Sequence, residues 1–122
     1  MRRLVAAVAV ALLTALTLTA CGGGSSSGED GSTLPVKKIA ITFKGDDVTP
    51  NGSDIDVEVG QRLEFDVTAD QPGEIHVHSS PEQEFEYKSG TETLTVDPIK
   101  APGRVTVESH TLEKTLFILV AR

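Results

Sequence analysis

The clearest indication of the fold is the segment Ile39–Phe43, which reads Ile-Ala-Ile-Thr-Phe and alternates large apolar residues with small or polar ones. Successive side chains of a β-strand point to opposite faces, so this period of two predicts a strand with one buried face. The same alternation recurs at Ile55–Val59 and at Leu63–Val67. Because residues 34–122 carry no sustained helical repeat, the sequence predicts an all-β domain.

Turn-forming residues separate these strands at short intervals. Gly, Pro, Asn and Asp cluster at residues 45–52 and again at residues 71–73. About eight short strands with turns between them indicate a two-sheet Greek-key β-sandwich. The last strand is apolar throughout residues 116–120, which predicts a central strand covered on both faces. The five strands predicted downstream of the first three lie near Glu74–Ser79, Phe85–Lys88, Thr91–Val96, Gly103–Ser109 and Thr115–Ala121.

Composition limits the classes of function. The chain has 122 residues, a formal net charge of −7 and one Cys, so one small domain is expected. A single sulfur ligand cannot build a disulfide framework, a zinc ribbon or an Fe–S site. The acidic balance argues against nucleic-acid binding, which needs clustered Lys and Arg. The sequence shows no Ser elbow and no nucleophile with an arranged base, so no enzymatic activity is predicted.

The N-terminus has the pattern of a secretory signal. Arg2 and Arg3 precede an apolar run at Leu4–Leu18, which is shorter than the roughly 20 residues of a membrane-spanning helix. The Leu-Thr-Ala-Cys sequence at residues 18–21 resembles a bacterial lipobox, in which the Cys thiol is joined to diacylglycerol and becomes the first mature residue. This resemblance implies a signal peptide at residues 1–20 and lipidation of Cys21. The domain is then expected on the outer face of the cytoplasmic membrane.

A Gly/Ser-rich segment follows the predicted lipidation site. Residues 21–33 contain no large apolar side chain, so this segment is expected to be a flexible tether ahead of a domain at residues 34–122. Removal of the signal also removes two Arg residues and leaves a mature net charge of −9. Anionic lipid headgroups would repel such a domain, so the membrane contact is expected to be the lipid alone.

The predicted domain resembles the cupredoxin-like family, in particular small secreted bacterial lipoproteins related to it. The resemblance is carried by Val59–Phe65 (VGQRLEF), by Glu74–His78 (EIHVH) and by Ala101–His110 (APGRVTVESH) ahead of a terminal apolar strand. The last of these segments is similar to the Pro-Gly-x-Tyr-x-Phe-x-Cys-x-x-His ligand loop of the copper-carrying members. The resemblance implies a β-sandwich whose functional end is built from loops.

The ligands of a blue-copper site are missing, however. In this alignment Glu108 stands in the position of the Cys, His110 follows two residues later instead of three, and no Met follows. A short thiolate bond creates the electron-transfer site, so the sequence contradicts a blue-copper electron carrier. The first functional prediction is therefore a non-enzymatic binding domain that takes an envelope protein or a small ligand as its partner. Such a domain is expected to expose an apolar patch at its loop end.

All three histidines fall in the two segments that match the family's ligand regions. Residues i and i+2 of a strand share a face about 6.6 Å apart, so His76 and His78 can converge on one ion. Glu108 and His110 share a face for the same reason. If the two strands adjoin, the three histidines form a metal site assisted by Glu108 or Glu82, and neutral imidazoles suit Zn(II) or Cu(II). The alternative function is therefore metal handling in the cell envelope.

Two other interpretations of these histidines stay open. With Ile75 and Val77 facing the core, His76 and His78 project into solvent or hydrogen-bond nearby loops. The spacing His76-x-His78-x-x-x-Glu82 is also similar to the first cupin motif, whose residues hold a metal and would face inward. The Gly and Pro spacings of the cupin motifs are not matched, so a cupin-like site is the minor alternative.

Overall fold

The computed structural model describes residues 34–122, and the signal peptide, Cys21 and the tether predicted for residues 1–33 lie outside the described residues. No helix within this range is long and apolar enough to cross a membrane. The described chain forms nine β-strands: β1 (Lys37–Lys44), β2 (Asp47–Thr49), β3 (Ser53–Val57), β4 (Leu63–Ala69), β5 (Gly73–Val77), β6 (Gln83–Tyr87), β7 (Gly90–Val96), β8 (Gly103–Ser109) and β9 (Lys114–Ala121).

The strands form two sheets that face each other. One sheet has the order β2-β1-β4-β7, and the other has the order β3-β9-β8-β5-β6. β1 pairs in parallel with β4, and β3 pairs in parallel with β9. A parallel pair cannot be closed by a tight hairpin, so the chain has to cross between the sheets. The predicted all-β, two-sheet Greek-key sandwich is confirmed.

Alternating apolar residues fill the space between the sheets. In β1, for example, alternate residues are buried and their neighbours are exposed. Phe65 of β4 meets Phe117 of β9 edge to face, with ring centroids 5.5 Å apart, and Phe43 of β1 stacks on Tyr87 of β6 at 4.7 Å. Each aromatic pair joins one sheet to the other. Such pairs contribute about 0.5–1.5 kcal/mol beyond the burial of their area, so they help to fix how the two sheets pack.

The structure contains one strand more than the sequence predicts. Asp47–Thr49 forms β2 and pairs with β1 in a region expected to be a turn. Val48 is the single buried residue of this strand. One apolar residue among turn formers gives no alternation, which is why the pattern did not indicate a strand.

The last strand is internal, but it is not covered on both faces as predicted. β9 lies between β3 and β8, and its residues Phe117 and Leu119 face the core. Ile118 and Val120 are half-buried on the outer face. No further layer covers that face in the described chain, so the apolar run reflects an internal strand of one sheet and not a strand enclosed between layers.

At one end of the sandwich the β8–β9 loop packs against the start of β5. A Cβ on Gly73 would lie 2.6 Å from Tyr87 Cζ and 2.9 Å from Thr111 Oγ1, so only glycine allows this close approach. The backbone N–H of Glu74 donates to Thr111 Oγ1 at 3.2 Å, and the N–H of His110 donates to the carbonyl of Glu74 at 3.2 Å. These contacts hold His110 beside the outer face of β5.

Candidate metal site

β5 lies between β6 and β8 in the five-stranded sheet; it carries His76, and His78 follows its last residue, Val77. Ile75 and Val77 point inward and are fully buried, so the intervening His76 points away from the core. His76 is nevertheless only 6% exposed. The cover comes from polar side chains on the outer face of the sheet, and a ring buried in this way requires partners for both of its nitrogens.

The groups around His76 are acidic. Its direct neighbours across the sheet are Glu84 on β6 and Glu108 on β8. Glu74 lies two residues earlier on the same face of β5, and Glu82 approaches from the turn after it. These four carboxylates attract cations to this part of the sheet.

The turn between β5 and β6 brings Glu82 back to the histidines. Ser79 Oγ donates to the carbonyl of Pro81 at 2.6 Å and accepts from Gln83 Nε2 at 3.1 Å. These short-range bonds fold the turn toward the outer face of the sheet. As a result the Glu82 carboxylate contacts both His76 and His78, while the Glu82 side chain is 62% exposed.

His76, His78 and Glu82 bring three ligand atoms together. His76 Nε2 lies 3.3 Å from Glu82 Oε2, His78 Nδ1 lies 3.4 Å from Glu82 Oε1, and the three ligand atoms lie within 4.8 Å of one another. His76 Nε2 is buried and has no hydrogen-bond partner, because Glu82 approaches it outside hydrogen-bonding geometry. Tetrahedral ligands of zinc lie about 3.4 Å apart, so one ion needs only small movements to bind all three.

The opposite ring nitrogens have partners of their own. His76 Nδ1 lies 2.9 Å from His110 Nε2, and His110 Nδ1 lies 2.7 Å from Glu74 Oε1. His78 Nε2 lies 3.0 Å from Glu108 Oε2. The hydrogen bond to Glu108 raises the pKa of His78 above its ordinary value, against the opposing effect of desolvation.

Within residues 34–122, the structure brings all the site residues predicted from the sequence into one cluster. Only some of them converge on a common point. His76 and His78 project to the same face, as the period of two predicts. His110 and Glu108 contact these two histidines through the nitrogens that do not face Glu82. A direct ligand role for His110 and Glu108 stays a prediction. Glu82, which the sequence offers through its spacing from the histidines, supplies the third convergent atom.

The interior of the sandwich does not fit a blue-copper centre. Counting along the ligand-loop motif from Gly103 places its Cys at Ser109 and its His at Leu112, so the alignment of Glu108 with the Cys is wrong by one residue. Ser109 is fully buried on the inward side of β8, whereas Glu108 lies on the outer face. Residues 34–122 contain neither Cys nor Met, so the defining thiolate has no replacement in the domain.

A cupin-like site with inward histidines is also wrong for this chain. Ile75 and Val77 occupy the core positions of β5, and the alternation of the strand forces His76 to the other face. The interpretation of His78 as a solvated side chain is correct for its exposure, but its two ring nitrogens contact Glu82 and Glu108.

Comparison with solved structures gives the class of fold. The chain is similar to a Cu(I) form of a mutant of amicyanin, with a TM-score of 0.52 and 10% identity over 70% of this chain and 82% of that chain. It is similar to a purple cupredoxin from Nitrosopumilus maritimus, with a TM-score of 0.50 and 13% identity over 70% of this chain and 99% of that chain. The fold of this protein is therefore cupredoxin-like.

The chain is also similar to part of a larger protein. A multi-copper oxidase from Pediococcus acidilactici matches with a TM-score of 0.52 and 13% identity, over 82% of this chain and 29% of that chain. Identities this low show a common fold and no common activity. The sequence matches no protein-family model and no curated protein.

Proposed function

We propose that this cupredoxin-like domain binds one divalent transition-metal ion, Zn(II) or Cu(II), on the outer face of its five-stranded sheet. The ligands are His76 Nε2, His78 Nδ1 and a carboxylate oxygen of Glu82. The supporting observation is that His76 Nε2 is buried without a hydrogen-bond partner and faces a carboxylate 3.3 Å away. An unpaired buried polar atom is costly in free energy, and a bound cation removes that cost.

The donor set indicates which ions the site prefers. Two imidazoles and one carboxylate are a known set of three protein ligands for zinc, with a water or another molecule in the fourth position. Imidazole nitrogen also suits Cu(II), which generally binds a given site more tightly than Zn(II). Ca²⁺ and Mg²⁺ take oxygen ligands, so neither is expected to compete at equal concentration.

The surrounding charge supports a cation. Glu84 Oε1 lies 3.9 Å from His76 Nε2, and Glu108 contacts the outer nitrogen of His78. These carboxylates repel anions and attract cations to the outer face of the sheet. Because most of them are partly exposed, salt weakens this attraction at a distance and leaves the direct ligand bonds largely unaffected.

We also propose that the domain acts at the cell envelope without enzymatic activity. The support is the sequence before the domain, which has the pattern of a signal peptide at residues 1–20, a lipidation site at Cys21 and a Gly/Ser-rich tether at residues 21–33. A lipid anchor on Cys21 would hold the domain on the outer face of the cytoplasmic membrane. A tethered metal-binding domain there is suited to buffering or passing on metal ions.

Docking of a protein partner through an apolar loop end has less support. Val36 is the one large apolar side chain exposed within the described residues. It precedes β1 at the end of the sandwich remote from the β8–β9 loop. The apolar patch expected for such a partner is therefore not evident at the loop end.

The proposal is tested by isothermal titration calorimetry of the purified protein with Zn(II) and with Cu(II) at neutral pH. We expect submicromolar, one-to-one binding that His76→Ala abolishes, because that variant loses the buried ligand. Circular dichroism of His76→Ala should match the parent, because the ring lies outside the core. The absence of binding by the parent, or equal affinity in the variant, would contradict the proposal.

A further inference from the structure

We propose that Glu74 and His110 are positioning residues that fix the proton of His76 on Nδ1, and that Glu108 fixes the proton of His78 on Nε2. The two histidines then present opposite ring nitrogens to the metal ion. This inference deepens the proposed function and rests on it for its purpose, although the proton positions themselves are a property of the metal-free protein.

The carboxylate of Glu74 determines where His110 carries its proton. An ionised carboxylate only accepts hydrogen bonds, so at 2.7 Å from Glu74 Oε1 the His110 Nδ1 atom must carry the proton. Neutral His110 then has a lone pair on Nε2. That lone pair, 2.9 Å from His76 Nδ1, accepts a hydrogen bond, so His76 carries its proton on Nδ1.

The consequence for His76 is a lone pair on the buried nitrogen. Its Nε2 atom has no hydrogen-bond partner, and a lone pair that faces a carboxylate cannot form one. The unpaired state of this atom thus follows from the contacts on the other side of the ring. Metal-bound histidines commonly use such an outer hydrogen bond to fix ring orientation and tautomer.

His78 is held in the opposite sense. Glu108 Oε2 lies 3.0 Å from His78 Nε2 and must accept a proton there, so in the neutral ring Nδ1 bears the lone pair. His78 Nδ1 also lies within hydrogen-bonding distance of Glu82 Oε1, but at 3.4 Å, so the shorter contact to Glu108 holds the single proton of the neutral ring. The rings of His76 and His78 lie 4.2 Å apart at an angle of 34°, and the use of different nitrogens directs both lone pairs toward Glu82.

The resulting arrangement has three acceptors and no donor. His76 Nε2, His78 Nδ1 and the Glu82 carboxylate converge, and none of them carries a hydrogen in the neutral-ring state. Such a group is unfavourable when empty and is completed by a positive ion. The outer contacts therefore prepare the ligands before the ion arrives, so little rearrangement is needed on binding.

The proton positions can be read directly by long-range ¹H–¹⁵N NMR of the metal-free, ¹⁵N-labelled protein at an alkaline pH at which the ring ¹⁵N shifts no longer change. We expect the Nδ1–H tautomer for His76 and His110 and the Nε2–H tautomer for His78. An Nε2–H tautomer at His76, or rapid averaging of its two nitrogens, overturns the proposal. This result does not depend on metal binding, so a failure of the proposed function appears separately as the absence of zinc binding by the parent.

Two substitutions at His110 separate its role as a hydrogen-bond acceptor from the general effect of changing its side chain. His110→Gln keeps an acceptor for His76 Nδ1–H, whereas His110→Lys offers only donors and forces the His76 proton onto Nε2. We expect zinc affinity to fall about 10–100-fold in His110→Lys and to stay within about threefold in His110→Gln. Equal affinities in the two folded variants contradict the proposal, and direct ligation by His110 predicts a comparable loss in both.

Substitutions of two paired acidic residues provide the control. Glu74 and Glu86 face each other across β5 and β6. Of these two, Glu74 forms an ion pair with a histidine in the described chain, and Glu86 does not. Glu74→Leu should weaken zinc binding about tenfold or more, and Glu86→Leu should change it much less although it removes the same charge. An equal effect of both substitutions would show that only the overall charge matters and would overturn the positioning role.

Discussion

His76 Nε2 lies 3.3 Å from Glu82 Oε2, although five residues and a reversal of the chain separate the two positions. The nitrogen is buried and makes no hydrogen bond, whereas most buried polar atoms of proteins have a partner. The carboxylate is mostly exposed, so solvent could have drawn it away. A cation between the two groups would account for both facts, which is the reason for the proposed metal site.

Glu82 should matter more to metal affinity than its charge alone implies. Glu82→Gln replaces a ligand oxygen with a weaker neutral one, so we expect zinc affinity to fall by about tenfold or more. Glu86→Gln removes the same charge from the outer face of β6 without touching a histidine and should leave the affinity within about threefold. Competition with a colorimetric zinc chelator measures both variants, and equal losses would mean that Glu82 acts only through the overall field.

The sequence predicts which face of the sheet carries the histidines better than it predicts which groups contact their ring nitrogens. The alternation of Ile75 and Val77 with the histidines correctly places His76 and His78 together on the outer face. The spacing to Glu82 is visible in the sequence as well, although the turn that returns it depends on bonds made by Ser79. The partners of His76 Nδ1 and His78 Nε2 are His110 and Glu108, and they are close because β5 pairs with β8. Local spacing in the sequence does not indicate which distant strands pair.

The strands are likewise predicted well in some places and poorly in others. Period-two alternation identifies β1 and β4 because one face of each strand is buried. The pattern does not indicate β2, whose single buried residue is Val48. The run at residues 116–120 suggests cover on both faces, yet Ile118 and Val120 are half-buried on an outer face. Local patterns report burial well on one side of a strand and poorly on the side that no layer covers.

Ser109 should be important for stability because it is a polar residue in the core. It is fully buried, and its Oγ accepts a hydrogen bond from the N–H of Leu112 at 3.2 Å. Ser109→Ala leaves this N–H without its partner, so we expect the free energy of unfolding to fall by about 1–3 kcal/mol. Urea denaturation measures the change. The exposed Ser53→Ala is the control and should stay within about 0.5 kcal/mol of the parent.

The ion pair between Arg104 and Asp54 should make stability depend on acid pH. Arg104 Nη1 and Nη2 donate to the two Asp54 oxygens at 2.9 and 2.7 Å, which lowers the pKa of Asp54 from its ordinary 3.8. A carboxyl whose pKa is lowered by folding stabilises the native state above its unfolded pKa and ceases to do so as pH falls through the folded value.

Melting temperatures of the parent and of Asp54→Asn test this sign. The variant should melt lower at neutral pH, and the difference should close as the pH falls through the lowered pKa of Asp54 in the folded parent. The effect is expected to be modest because both side chains are more than half exposed. A difference that persists unchanged at acid pH would show that the substitution acts through packing.

Cys21 should determine whether the protein is membrane-bound. In bacterial cells that process lipoproteins, we expect the parent to enter the detergent phase of a Triton X-114 separation. Cys21→Ser removes the thiol that would carry the lipid and should leave the protein in the aqueous phase. Equal distribution of the two forms would contradict the proposed anchor, and it would leave the metal site of residues 34–122 unaffected.

The proposed metal site is tested most directly by anomalous diffraction at the zinc absorption edge from crystals of the zinc-loaded protein. We predict one strong peak at bonding distance, about 2.0–2.2 Å, from His76 Nε2, His78 Nδ1 and a Glu82 oxygen. The hydrogen bonds that His76 Nδ1 donates to His110 and that His78 Nε2 donates to Glu108 should persist. A peak bound by His110 and Glu74 in place of these ligands, or no peak on this face of the sheet, would contradict the account.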